Sequence, residues 1–195
     1  GSDEDVMEVM VHVGTNWQNA SFSRGCGHLR FGDNWVVNDI FAHELTHGVV
    51  NAVVPNGGLL GQNQPGALNE SIADTFAAFF DLDWELGEDL TGGALRDMAD
   101  PPSFSRMITD PFPVGTRTVA HPDHMDDFVV TVDDDGGEHI NNGILNKAVF
   151  LAVTGGSHGG YAVPGIGLDS AMPLYYRVLD RRVIRTTNFA SFAAS

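Results

Sequence analysis

A single cysteine, Cys26, stands in 195 residues, so no internal disulfide can form. Basic residues are scarce too: 10 Lys and Arg face 26 Asp and Glu, for a formal charge of -16. Such a balance repels phosphate backbones and anionic headgroups, which argues against nucleic acid or a membrane surface as partner. It leaves carboxylates to spare for hard cations such as calcium. Long apolar runs are missing, so no membrane span is expected, and no leader peptide pattern is visible. A chain without cysteine pairs suits either a reducing cytosol or an exported protein stabilised by metal ions, and the compartment stays open at this level. A hydrophobic content of 43% is enough for one good core, or a compact core with a small lobe.

Against these absences, one stretch carries chemistry: Asn38-Asp39-Ile40-Phe41-Ala42-His43-Glu44-Leu45-Thr46-His47. It contains H-E-x-x-H. Residues four apart lie about 40° off alignment on an α-helix, so His43 and His47 project from one face. Two neutral imidazoles there can hold zinc at Zn–N distances of about 2.0–2.1 Å. Glu44 lies about 100° round the helix, beside such an ion but not among its ligands, where a carboxylate can take a proton from water. Taken alone, the motif also fits two surface histidines on an amphipathic helix.

Residues 6–13 are rich in β-branched side chains and methionine, which predicts a strand. His28-Leu29-Arg30-Phe31 alternates and predicts a second, giving a small antiparallel sheet. A helix is expected from Val37 to Val54, stopped by Pro55-Asn56-Gly57-Gly58. After a glycine-rich loop, a second helix is expected from Ala67 to Leu82. Residues 83–137, with Pro101, Pro102, Pro111, Pro113 and Pro122, show no clear period and read as irregular, which at this length usually signals function or bound ions. A third helix is expected over Gly143–Val153 with Asn142 as its cap. The fourth runs over Ser170–Val183, with Pro173 in its first turn and Leu174, Tyr175, Val178 and Leu179 as its buried stripe. The expected fold class is α+β: a small antiparallel β lobe over residues 1–36, a mainly helical lobe over 37–195, and a cleft between them.

Catalytic zinc usually takes three protein ligands and keeps one position open. Glu70 is the candidate third. The first helix carries Asp39, His43 and His47 at intervals of four; the second carries Glu70, Asp74 and Asp81 on one stripe. Packed antiparallel, His47 meets Glu70, His43 lies near Asp74, and Asp39 lies near Asp81. Asp74 would then fix a histidine tautomer. At the far end of this seam Asp39, Asp81, Asp83, Glu85, Glu88 and Asp89 would crowd together. Such carboxylates repel unless a cation sits among them, and calcium takes about 6–8 oxygens. A merely solvated acidic face would not need the pairing register.

With these residues assembled, the chain resembles the thermolysin-like family of zinc metalloendopeptidases over most of its length, from about Asn19 onward. The shared stretches are His43-Glu44-Leu45-Thr46-His47, Gly66-Ala67-Leu68-Asn69-Glu70-Ser71-Ile72-Ala73-Asp74, Asp83-Trp84-Glu85-Leu86-Gly87-Glu88-Asp89, Leu95-Arg96-Asp97-Met98-Ala99-Asp100-Pro101, Asp134-Asp135-Gly136-Gly137-Glu138-His139-Ile140-Asn141 and Val163-Pro164-Gly165-Ile166-Gly167. The resemblance implies one catalytic zinc on His43, His47 and Glu70, with Glu44 as general base. It implies at least one structural calcium on Asp39, Asp81, Asp83, Glu85 and Glu88. His139 would stabilise the oxyanion, oriented by Asp134. Arg96 would hold a substrate carbonyl, and Asn19 and Ala20 would align the substrate backbone. Ile40 lies one turn before His43. With Leu86 and Leu95, which match apolar family positions, it would favour a bulky hydrophobic residue just after the cut bond. Peptides or proteins would be the substrates of a secreted, monomeric enzyme.

Some features depart from the family. Gly61 stands where a tyrosine donor is usual, and 22 residues (48–69) separate His47 from Glu70, more than the family has. The segment between Asp81 and Asp83 is short, which argues against a second calcium beside the first. The sheet lobe is reduced, and the chain stops soon after Asn188-Phe189. Two rival readings stay open. A zinc aminopeptidase would share H-E-x-x-H and a downstream Glu, but needs an acidic anchor for a free amine, for which no motif is visible. A non-catalytic metal-binding member is favoured by Gly61 and opposed by the intact Glu44.

Overall fold

The helix that carries H-E-x-x-H, α1, runs from Asn38 to Val53 in the computed structural model, which describes residues 7–195. Val54 is extended, as steric pressure from the following Pro55 favours, and the helix ends there. Helix α2 spans Asn63–Asp81 and so begins four residues before the expected Ala67. Pro65 falls in its first turn, where a missing N–H costs no helical bond. Of its 19 residues 13 are buried, because α2 packs along both α1 and a third helix, α3 (Asp134–Thr154). Ala67, Ala73, Ala77 and Ala78 keep its surface low enough for close approach on both sides. One apolar cluster joins the three helices through Val50, Leu68, Ile72 and Ile144; another does so through Ala42, Ala77, Phe79 and Val149.

Helix α3 differs most from expectation. Its first turn is left-handed, with φ of 50°, 88° and 80° at Asp135, Gly136 and Gly137, so regular helix starts at Glu138 rather than Gly143. Two glycines supply that conformation at little steric cost. Asn142, expected as a cap, therefore lies inside the helix and is fully buried.

Strands β1 (Val9–Met10), β2 (Ala20–Ser23) and β3 (His28–Phe31) form a three-stranded sheet in the order β1-β3-β2. The expected strand over residues 6–13 shrinks to two residues; Val6 lies outside the described residues. β1 pairs parallel with β3, whereas β2 pairs antiparallel, Ala20 with Phe31 through Ser23 with His28. The intervening β2 explains the change of sense, since it returns the chain between them. It also leaves β2 at the sheet edge, beside the helices.

Residues 83–137 are not irregular. Short strands β4 (Glu85–Leu86) and β5 (Arg96–Asp97) pair, and β6 (Ser105–Pro111) and β7 (Val114–Ala120) form an antiparallel hairpin. Only Ile108 and Val119 of the hairpin are buried, so the strands carry no apolar alternation to betray them. A further hairpin, β8 (Gly156–His158) with β9 (Tyr161–Val163), precedes α4 (Leu168–Arg182) and the short α5 (Phe189–Ala193), which Asn188 and Ser191 cap reciprocally. Because α4 starts at Leu168, Pro173 falls in its second turn, not its first. Leu174 is exposed, and the buried positions are Ala171 and Leu179.

Candidate active site

Antiparallel packing of α1 on α2 brings His43, His47 and Glu70 together. His43 Nε2 lies 3.0 Å from His47 Nε2 and 3.3 Å from Glu70 Oε2, and His47 Nε2 lies 3.4 Å from Glu70 Oε1. Ligands placed tetrahedrally at about 2.0–2.1 Å from one zinc are separated by about 3.3 Å. The two imidazole nitrogens, and the carboxylate oxygen nearest each of them, therefore stand close to the spacing a small tetrahedral cation requires. Glu70 Oε2 is buried and accepts no well-directed hydrogen bond, which leaves a lone pair for a metal ion. The donor set and its spacing fit zinc.

Asp74, fully buried, anchors this centre from behind. Its Oδ1 accepts from His43 Nδ1 at 2.8 Å and Arg96 Nη2 at 2.7 Å. Its Oδ2 accepts from Arg96 Nε at 2.8 Å, Asn142 Nδ2 at 2.9 Å and Asn146 Nδ2 at 2.8 Å. The bond to Nδ1 leaves the Nε2 lone pair of a neutral His43 facing His47 and Glu70. Burial would raise the Asp74 carboxyl, but Arg96 and His43 outweigh it and hold the group well below the usual carboxylate range. Burial likewise works against a charged His43, yet Asp74 and Glu70 outweigh it and lift the imidazole to about 9. Glu70 is held well below its ordinary value despite burial, chiefly by His139 and His47. The site is thus built to hold positive charge between fixed carboxylates.

His139 enters from the start of α3. Asp134 accepts from its backbone N–H at 2.8 Å and meets its Nδ1 at 2.7 Å, while Nε2 reaches Glu70 Oε2 at 3.2 Å. The left-handed turn over Asp135–Gly137 is what folds Asp134 back onto the ring. Burial disfavours its charge, but Glu70 and Asp134 prevail and raise it well above its ordinary value. These groups open onto a cleft of about 710 Å³, lined also by Asn19, Ala20, Ile40, Glu44, Leu95 and Arg96. Of the other expected residues, Leu86 is not on this wall. It is fully buried among Ala42, Ala77 and Met98, because the face of β4 that carries it turns into the core. Arg96 reaches the cleft, but two of its N–H groups are spent on Asp74.

The acidic cluster assembles in part. Asp39 is buried, accepts from Ile40 N–H at 2.7 Å, and also takes the Gly87 N–H across the seam. Desolvation, then the charges of Asp39, Asp81 and Asp83, push the Glu88 carboxyl up to about 7. Glu88 Oε2 is buried without a partner. Glu85 is exposed on β4.

Several cleft residues carry no sequence expectation: Arg24, Arg106, His121 and Glu138. Gly61, in the tyrosine position, also lines the cleft, and a side chain built there would meet Arg24 Nη2 at 3.7 Å. Asn142 and Asn146 are the other omissions. Their spacing of four on one helix was the available signal, but only packing shows that the shared face is buried.

Known proteins resemble this chain over most of its length. The family described as "thermolysin metallopeptidase, catalytic domain" matches residues 2–51, and its "alpha-helical domain" matches residues 57–195. Neutral protease B of Bacillus subtilis is 38% identical over 192 residues, covering 92% of this chain and 32% of that protein. Thermolysin of Alicyclobacillus acidocaldarius is 36% identical over 202 residues, covering 95% and 34%. A solved structure of the protealysin precursor, a metalloproteinase from Serratia proteamaculans, superposes with a TM-score of 0.75 at 28% identity, covering 96% of this chain and 60% of that one. The chain spans about a third of the length of the curated relatives it matches.

Proposed function

The chain belongs to the thermolysin metallopeptidase family, and we propose that it carries a zinc-dependent endopeptidase centre on His43, His47 and Glu70. The observation that supports this most is the spacing of the His43 and His47 Nε2 atoms, 3.0 Å from each other and 3.3 and 3.4 Å from the buried Glu70 carboxylate oxygens. Zinc bound there supplies Lewis acidity, drawing charge from a carbonyl and making a neighbouring water easier to deprotonate. Glu44 faces the same cleft and is the general base: it takes the proton of the attacking water and passes it to the leaving amine. His139, kept cationic and aimed by Asp134, donates toward the oxygen on which charge develops. Asn19 and Ala20 lie where the edge of β2 meets the cleft, so an extended peptide adds there as a further strand. Ile40 and Leu95 give the apolar wall for a bulky residue after the cut bond. The Asp39, Asp81, Asp83 and Glu88 carboxylates would hold calcium, which would tie α1 to the loop after α2.

The test is hydrolysis of an internally quenched, end-blocked peptide by the purified chain with zinc, with and without a chelator, beside Glu44→Gln. Chelator-sensitive cleavage that Glu44→Gln abolishes is expected. Cleavage only of peptides with a free amino terminus would replace this reading with an aminopeptidase. Zinc binding without cleavage would make the chain a non-catalytic metal-binding member.

A further inference from the structure

Glu138 is a cleft residue that neither the zinc centre nor the proposed mechanism uses. Its side chain retains only 14% of its exposure, yet it takes part in none of the hydrogen bonds among the described residues. Among the described residues the only basic nitrogen within 4.0 Å is His139 Nδ1 at 3.9 Å, and that nitrogen is already on Asp134. Space for the carboxylate is built in: a side chain on Gly66 would bring its Cβ to 2.5 Å from Glu138 Oε2, besides approaching the Gly61 backbone at 3.2 Å. Glycine in the first turns of a helix is a weak helix former, so this opening has a cost of about 1 kcal/mol in local preference. The carboxylate also lies within 4.8 Å of ligand-type atoms of Glu70 and His139, so it stands at the reacting centre and not at the rim.

We propose that Glu138 forms a cation subsite of the cleft, taking the ammonium or guanidinium group of a substrate residue beside the scissile bond. This rests on the endopeptidase reading and adds a substrate class to it: peptides carrying Lys or Arg at one position flanking the cut. A partly desolvated carboxylate whose nearest cation, His139, is already engaged by Asp134 and Glu70 gains most from a partner that brings its own positive charge and retains hydrogen-bond donors. Both Lys and Arg do so, and Gly61, which carries no side chain, lines the same cleft. The subsite sits next to His139 on α3, whereas Ile40 and Leu95 come from other elements, so one peptide can satisfy both walls.

Binding reads the subsite independently of turnover. Fluorescence anisotropy of matched labelled peptides is measured on the zinc-loaded Glu44→Gln chain, with Lys, Arg, norleucine or Glu at each of the three positions on either side of a fixed Leu. Every peptide is made with and without an amino-terminal acetyl group. One position is expected to favour Lys and Arg over norleucine, with the ratio falling about tenfold when Glu138→Gln is added. Glu138→Lys should instead favour Glu at that same position, which guards against a merely damaged fold. Preference in both the acetylated and unacetylated sets supports the side-chain subsite; preference confined to the unacetylated peptides would overturn it in favour of an anchor for a free amino terminus. Unchanged ratios in Glu138→Gln, equal weakening of all peptides, or loss of zinc from that variant would overturn the proposal. Failure of the endopeptidase reading shows separately, as absent chelator-sensitive cleavage by the chain that keeps Glu44.

Discussion

Replacing Asp74 by Asn tests the whole centre with one change of nearly constant shape. Five donors converge on the carboxylate: two from Arg96, and one each from His43, Asn142 and Asn146. An asparagine can offer one oxygen, so its NH2 group must face donors on the other side, and the buried Arg96 loses its counter-charge. Breaking a buried pair by removing one partner costs about 3–5 kcal/mol, against a total stability of about 5–15 kcal/mol for a domain. Denaturant unfolding of Asp74→Asn should show that loss as a lower midpoint with an unchanged slope. Zinc affinity, measured by competition with a chelating dye, should fall about 10–100-fold because the His43 tautomer is no longer held. The pH dependence follows from the sign of the shift. Asp74 has a folded pKa below its ordinary 3.8, so its contribution is present above that pH and is lost only as pH falls beneath it. The parent should therefore lose more stability than Asp74→Asn on acidification. A variant within about 1 kcal/mol of the parent, with the same zinc affinity, would refute the role of Asp74 as the electrostatic anchor.

Zinc uptake must displace the proton that Asp74 and Glu70 hold on His43, whose pKa stands at about 9; apparent affinity should rise about tenfold per pH unit between pH 6 and 8, and a flat profile would count against it. By the same sign, the metal-free chain should lose stability as pH climbs from 6.5 through about 9, observable as a falling melting temperature. Glu88 is raised to about 7, so its crowded charge opposes folding increasingly from pH 4.5 upward; selective calcium removal should lower the melting temperature more at pH 7.5 than at pH 5, and melting indifferent to calcium would reduce the cluster to a solvated turn. Cleavage of a mixed peptide library should fall before bulky hydrophobic residues, and Leu95→Ala should reduce that preference by about 1–3 kcal/mol in kcat/KM, with cuts clustered before charged residues refuting the Ile40/Leu95 wall.

What could be read from the chain alone was whatever depends on short, regular spacing. His43 and His47 share a face because any α-helix places residues four apart together, and the stripes Asp39–His43–His47 and Glu70–Asp74 are aligned for the same reason. Antiparallel packing then has one register that brings histidine to carboxylate, and the folded chain adopts it. Where spacing carried no period, the sequence was silent or misleading. The β6–β7 hairpin buries only Ile108 and Val119, so its strands show no apolar alternation. The glycines before Glu138 extend α3 backward through a left-handed turn, which converts Asn142 from an expected cap into a buried donor to Asp74, 68 residues away. Leu86 and Leu95 looked alike as apolar matches, yet one is sealed in the core and the other faces the cleft. The Glu138 carboxylate became notable only once Gly66 was seen to clear space for it. These outcomes depend on which surfaces meet across long stretches of chain, and local spacing along one helix or strand contains no term for that.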